Sequence, residues 1–434
     1  MTIRIPASSL VEWLATGVGT WVLAFALFGT TVDADEPSAS PFVIERTVAS
    51  EGFHGKMCWV HARAGTVETF ADAGSPLVVM TLQRLQLSGS DVFFALHEMR
   101  TTDGATTWTE PTEHKSFARI PFQYQGNDEL EITVCDFTPK WHSKTQRLLG
   151  IGQTVVYENN RVKHVRPRGT AYAVYQPESR SWSRWRTLKM PDEARFANAG
   201  AGSVQRVDRL DGTILLPIYF KEIGTTQYST TVVRCDFDGH TLKYLQHGSE
   251  LTVPIKRGLY EPSLVEFDDR MFLTMRNDDH GYVSVSDAND LAFSRPKQWK
   301  FDDGYDLGNY NTQQHWVAHP THGLWLIYTR RNAENDHVFR HRAPLFIAKV
   351  DPERLHVIKK TEQVLVPEKG ARLGNFGVTT INENESWVTV TEWMQGPPPN
   401  PHDPEPLVKR GANNRIWVAK IKWNQPSAKL PPEK

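Results

Sequence analysis

Thr101-Thr102-Asp103-Gly104-Ala105-Thr106-Thr107-Trp108 is the stretch that decides how this chain folds. It follows an apolar, β-rich run at 92–96, turns on Asp-Gly and lands on an aromatic residue. Asp-Gly between strand-like runs marks a tight turn, and the Trp behind it gives that turn a surface to pack on. Looser forms of the same punctuation recur at 178–182, 236–242, 287–293, 351–355 and 411–417. Between them lie short runs rich in Val, Ile, Thr, Tyr, Phe and Trp, at 132–134, 213–219, 230–234, 282–285, 324–328, 345–350 and 387–391. No long amphipathic helical period interrupts them after residue 34. The chain therefore reads as all-β. Units at comparable spacing imply one closed array of four-stranded sheets, because closure hides the strand edges that a large open sheet exposes.

The 434 residues are 39% hydrophobic and 23% charged, a globular composition with ample material for a core. Length alone suggests two or three domains, but a repeat array overrides that rule and predicts a single domain over 35–424. A formal net charge of -1 without any Lys/Arg run excludes a nucleic-acid-binding surface spread over the protein, while leaving room for a local basic pocket. Residues 1–34 read as a signal peptide: Arg4 leads, 17–28 is apolar, and Val32-Asp33-Ala34 supplies the small residues of a cleavage site. The apolar part is short for a stable membrane span. The expected product is a secreted or periplasmic protein maturing near Asp35, with an uncleaved anchor as the second possibility. Residues 425–434 read as a disordered tail and the Pro-rich 397–406 as a loop between the last strands. Cys58, Cys135 and Cys235 are odd in number and far apart, so at most one disulfide forms and buried packing is the expected role. His54, His61, His315 and His337 lack ligand spacing, and no metal or cofactor is assigned.

The run 260–276 predicts a hairpin turning at Asp268-Asp269-Arg270. Glu261 and Arg276 then lie at its same end, an acid delivered beside a guanidinium. Read alone, they are a surface ion pair closing a hairpin.

Residues 101–108 resemble the Asp-box, or BNR repeat, of the sialidase (neuraminidase) superfamily, with Ala105 standing where the motif's Gly belongs. The Glu261–Arg276 hairpin is similar to the superfamily stretch carrying a catalytic Glu followed by a substrate-binding Arg. The resemblance implies a six-bladed β-propeller of four-stranded antiparallel blades whose pocket holds a sugar carboxylate between three arginines. Guanidinium groups suit that task because they are planar, permanently charged and bind a carboxylate through paired hydrogen bonds. Carried over by position, the three are Arg63, Arg276 and Arg342, with Arg340 competing for the third place. Asp91, directly before the strand that leads into residues 101–108, matches the general acid, and Glu261 the base. The loops 308–316 and 332–342 add Gln314, His315, Asn335, Asp336 and His337 as sugar-binding candidates, being dense in hydrogen-bonding and aromatic groups. The chain departs from the family where a nucleophilic Tyr is wanted. Residues 370–378 offer Asn375 or Phe376 there, and neither attacks carbon.

The function expected is hydrolysis of an acidic glycan or glycoconjugate, containing sialic acid or a uronate, with Asp91, Glu261 and Asn375 as the catalytic set. Two alternatives remain: a polysaccharide lyase acting on uronate glycans, in which a His or Tyr base works beside an Arg, and a glycan-binding propeller without catalysis.

Overall fold

The computed structural model describes residues 40–424, apart from 54, 73–74, 90 and 193. The expected leader over 1–34, the tail 425–434 and His54 lie outside the described residues. The described strands form six antiparallel sheets in which neighbours in sequence pair with one another. This is a β-propeller of four-stranded antiparallel blades, some widened by short extra strands. The first sheet runs Met57–Asp72, Ser75–Gln86, Phe93–Thr101 and Thr112–Glu113. The predicted hairpin is Tyr260–Phe267 against Arg270–Arg276, with Asp268 and Asp269 both left-handed at its turn (φ 51° and 56°). It belongs to a sheet completed by Tyr282–Asp287 and Lys297–Gln298.

The final sheet is built from both ends of the described chain. Phe376–Asn382, Glu385–Thr391 and Ile416–Trp423 are consecutive, and Phe42–Ser50 adds the fourth strand, pairing Phe42 with Trp423 and Val48 with Trp417. The edges that would otherwise be exposed satisfy each other.

Hydrophobic residues fill the spaces between neighbouring sheets. Trp325, Ile327, Leu345 and Ile347 meet Phe376, Val388, Val390 and Ile421 in one such layer. Closer to the middle, where the first strands of the sheets converge, buried side chains replace the missing ladder partners. Gln83 Nε2 donates to the Val134 carbonyl at 2.9 Å, Gln205 Nε2 to Trp316 at 3.0 Å, and Gln313 Nε2 to Phe376 at 2.5 Å. Each is a bond between different sheets, made because a buried carbonyl left alone is costly.

The turn at 101–108 is held by its acid. The Asp103 carboxylate accepts from the Thr106 and Thr107 amides (3.0 Å each) and from the Thr101 and Thr107 hydroxyls (2.8 and 2.6 Å). The Thr107 bonds, with those from Thr101 and Thr106, bring its pKa down to about 2. Gly104 and Ala105 both take left-handed conformations, and Trp108 leans towards Trp387. The three cysteines are free, buried and placed in separate sheets; burial pushes Cys58 and Cys235 up to about 12.

Phe42 is 2% exposed and packs edge-on against Trp325 and Trp423, at 4.9 and 5.1 Å between ring centroids. Phe42→Ala should cost about 3–5 kcal/mol in urea unfolding. Val43→Ala on the same strand, 61% exposed, should stay within about 0.5 kcal/mol. Equal effects would mean that this strand is not what closes the last sheet.

Candidate functional site

Three sheets share the same irregularity. At Val60–Arg63, Cys135–Thr138 and Tyr260–Ser263 one strand uses one more residue than its partner. His61, Asp136 and Glu261 sit in these bulges with left-handed backbones (φ 60°, 54° and 45°). A bulge redirects one side chain out of the strand's alternation, and all three side chains reach one cavity of about 910 Å³. Ser203, Asn311 and Arg340 line it too, again with positive φ. Left-handed backbone in non-glycine residues costs about 1–3 kcal/mol each, and here it gathers around a single opening.

Four arginines crowd one side of the cavity. Arg276 Nη1 donates to both oxygens of Glu261 (2.7 and 2.6 Å), Nη2 donates to Asn311 Oδ1 (2.6 Å), and Nε is buried without a partner. Its guanidinium lies 4.7 Å from the Tyr260 ring. Arg342 donates Nε to the Asn311 carbonyl at 3.1 Å. Arg372 stacks on Trp393 at 4.6 Å and donates to Gln395 Oε1 at 2.9 Å, its Nε buried and unpartnered. Arg340 stands at the rim over Phe339. Burial, and then the charges of Arg276, Arg340 and Arg372, hold Arg342 well below the usual guanidinium range. Burial with the Arg340 charge brings Arg372 down to about 9, against the pull of Asp91. These cations strain one another, and an incoming anion relieves that strain.

At the floor, His61 Nε2 lies 3.3 Å from Asp136 and 3.0 Å from the Asn375 amide nitrogen. Burial lowers the imidazole pKa although Asp136 opposes it. Asp136 also accepts from Ser203 Oγ and Gln153 Nε2, both at 2.9 Å. Asp91 is exposed on the cavity wall (φ 56°), its carbonyl accepting from the Tyr157 hydroxyl at 2.9 Å. Along the wall that Arg276 shares, Tyr260, Arg257 and Asp278 bond to one another at 2.6 Å. Arg166, Arg168, Lys221, Tyr219 and Tyr228 complete that wall. Among the described residues no group of three or more His, Cys, Asp or Glu side chains is placed to hold a metal.

Of the residues expected from sequence, Asp91, Glu261, Asn375, Arg276, Arg340 and Arg342 share this wall. The remaining six lie off it. Arg63 is two residues past the His61 bulge, so it turns inwards and donates to Ser203 Oγ at 2.8 Å, 3.5 Å from Asp136. Gln314 and His315 lead into the inner strand His315–His319, where Gln314 bonds Thr274 and Thr312 and His315 bonds Ser263 Oγ at 2.6 Å. Asn335 is buried and donates to the Arg330 and Ala343 carbonyls, holding its own loop together. Asp336 is outside, paired with His341, and His337 lies against Glu368. Phe376 is fully buried in the core, which leaves Asn375 as the residue of that pair facing the cavity. Arg372 and His61 carry no functional signal in the sequence: Arg372 lies in the stretch 370–378, where the family pattern points to a Tyr, and His61 in a bulge that strand alternation does not reveal.

No protein-family model and no curated protein matches the sequence. Solved structures do resemble it in fold. A protein of unknown function from Dyadobacter fermentans superposes with a TM-score of 0.54 at 13% identity, over 88% of this chain and 99% of that one. Trypanosoma rangeli sialidase, in complex with the inhibitor DANA, gives 0.54 at 11% identity, over 87% of this chain. The match spans 59% of that sialidase's length. The NanB sialidase of Streptococcus pneumoniae gives 0.54 at 11% identity, over 88% of this chain and 70% of that one. The propeller is thus of the kind that sialidases have.

Burial, reinforced by the Arg63 charge, lowers His315 to about 3, against about 6.5 in an unfolded chain. Between those values the unfolded chain binds a proton that the folded one refuses. The fold therefore loses stability as pH falls from about 6.5 towards 3, by up to about 1.4 kcal/mol per pH unit. His315→Gln removes this term. Urea unfolding of both proteins at pH 7, 6, 5 and 4 should show the wild type losing ground to the variant at each step below 6.5. A constant difference would show that His315 titrates normally.

Proposed function

We propose that the cavity binds the carboxylate of an acidic sugar and that the protein hydrolyses the adjoining glycosidic bond. The observation that carries this reading is the buried arginine cluster. Arg276, Arg342 and Arg372, each under 8% exposed, and Arg340 at the rim face one opening. Glu261 is the carboxylate ion-paired among them. Nitrogens without partners on Arg276 and Arg372 are what a carboxylate would satisfy. The fold neighbours whose names include sialidase support an acidic glycan as the partner.

In this reading the six sheets are six blades, and residues 101–108 are an Asp-box turn fixing the outer part of one of them. Asp91 protonates the leaving oxygen. Glu261, oriented by its bonds from Arg276, takes a proton from water. No tyrosine hydroxyl is bonded to Glu261 among the described residues, and Asn375 stands on the wall in place of a nucleophile. Single displacement with inversion follows, Asn375 positioning the sugar or the water through its contact with His61. Export from the cell goes with such a substrate. No described helix is long and apolar enough to cross a membrane.

One observation favours elimination as a second reading. Burial pushes the Tyr228 phenol up, but Arg168, Lys221, Arg166 and Arg257 outweigh it and hold the pKa below the ordinary tyrosine value. A phenol made easier to ionise suits removal of the proton beside a uronate carboxylate, with loss of the 4-linked sugar and formation of a double bond.

Arg342→Ala should weaken binding of a carboxylated sugar by about 2–5 kcal/mol, and Arg276→Lys should also weaken it because the paired geometry is lost. Full affinity in both variants would remove the carboxylate site. Proton NMR of the first product should show an inverted anomer. A retained anomer would restore double displacement, and ultraviolet absorbance from an unsaturated uronate would give the reaction to Tyr228.

A further inference from the structure

Beyond Tyr228 and Tyr260, seen from Arg276, the cavity carries a second group of cations that hydrolysis of a single acidic residue does not use. Arg166 and Arg168 lie on the segment between the strands Arg161–Val162 and Thr170–Gln176. That segment is fixed from the next sheet. The Arg168 amide donates to Ala197 (3.1 Å), its carbonyl accepts from the Ala199 amide (3.0 Å), and Asn198 Nδ2 donates to the Arg166 carbonyl (3.0 Å). A Cβ on Gly200 would stand 2.6 Å from Arg168 Cδ, so the arginine has its position because that residue is glycine.

The described bonds of these cations go to neutral oxygens. Arg166 Nη1 donates to the Lys163 carbonyl (2.7 Å), Arg168 Nη2 to the Tyr228 hydroxyl (3.3 Å), and Lys221 Nζ to the Thr225 carbonyl (2.7 Å). Arg166 Nε and both Nε and Nη1 of Arg168 are buried without a partner. Buried guanidinium nitrogens in a polar cavity are costly unless something meets them. Arg168 lies 5.0 and 5.5 Å from the Tyr219 and Tyr228 rings, and Lys221 Nζ 4.9 Å from Tyr228. Tyr228 and Tyr260, with centroids 5.8 Å apart, stand between this group and Arg276. One cavity thus holds two basic clusters separated by aromatic faces of the kind sugar rings lie against.

We propose that Arg166, Arg168 and Lys221 form a second acid-binding subsite, so that the cavity takes two carboxylates of one polyanionic glycan. This rests on the reading of the first cluster as a carboxylate site and adds the substrate class: a chain of acidic sugars rather than one terminal acid on a neutral glycan. The aromatic rings between the clusters then support the sugar linking the two acids.

Calorimetric titration with galacturonic acid and its trimer, and with N-acetylneuraminic acid and its trimer, tests this. For the matching sugar, the wild type should bind the trimer at least tenfold more tightly than the monomer, with a steeper loss of affinity in added salt. The double variant Arg166→Gln/Arg168→Gln should bring the trimer-to-monomer ratio towards one. Lys221→Gln, at a residue outside the Gly200 packing, should lower the same ratio even if the double variant fails to fold. Arg342→Ala should weaken monomer and trimer alike. A trimer advantage that survives intact in Lys221→Gln and in a folded double variant overturns the second subsite and leaves the first standing. Failure of every monomer and trimer to bind the wild type overturns both.

Discussion

The pairing of Phe42–Ser50 with Ile416–Trp423 is the joint on which the molecule depends. A ring of sheets has no stable intermediate width: unless its ends meet, two strand edges and the apolar faces beside them stay in water. Here the ends meet along a register eight pairs long, sealed by Phe42 between Trp325 and Trp423. Closure brings the first strands of the sheets together in the middle. Their convergence creates both the crowded interior, satisfied by Gln83, Gln205 and Gln313, and the cavity at its mouth.

The cavity has the opposite logic to the core. Apolar layers between sheets gain from burial, whereas the mouth concentrates like charges that repel and lose hydration. Arg342 and Arg372 are held below their ordinary range for that reason. Such an arrangement persists only where a rigid frame overrules it. The frame is visible in Asn311, whose side chain receives Arg276 and whose carbonyl receives Arg342. It is visible again in Trp393 and Gln395, which fix the plane of Arg372.

The β class is legible in the short β-branched and aromatic runs, and the turn of the Glu261–Arg276 hairpin in Asp268-Asp269, but the first strand reaches back to Tyr260 and takes Glu261 into it. Loops are less legible. Residues 308–316 look like a single sugar-facing loop, but the chain enters a strand at His315, and only Asn311 of that stretch reaches the cavity. Arg63, carried over by position as the first of the three arginines, would share the side of His61 in a regularly alternating strand. The bulge at His61 breaks that alternation, and nothing in Val60-His61-Ala62-Arg63 announces it. Arg166 and Arg168, on a connecting segment, carry no local signal at all. Their significance comes from Gly200 and Tyr228, residues far along the chain that only folding brings near.

The bulges at His61, Asp136 and Glu261 have a consequence for how such a ring can change. Each places one residue outside the alternation of its strand, while the pairs on either side keep their register. The side chain at that position therefore leaves the alternation of its strand and is free to bond across to another sheet, as His61 does to Asp136 and Asn375 and Asp136 to Ser203. A mutation there alters the mouth and the bonds that tie one sheet to the next, while the ladder on either side can keep its register. Chemistry in this propeller is thus placed at positions that also join neighbouring sheets, so the residues that shape the mouth help to hold the ring.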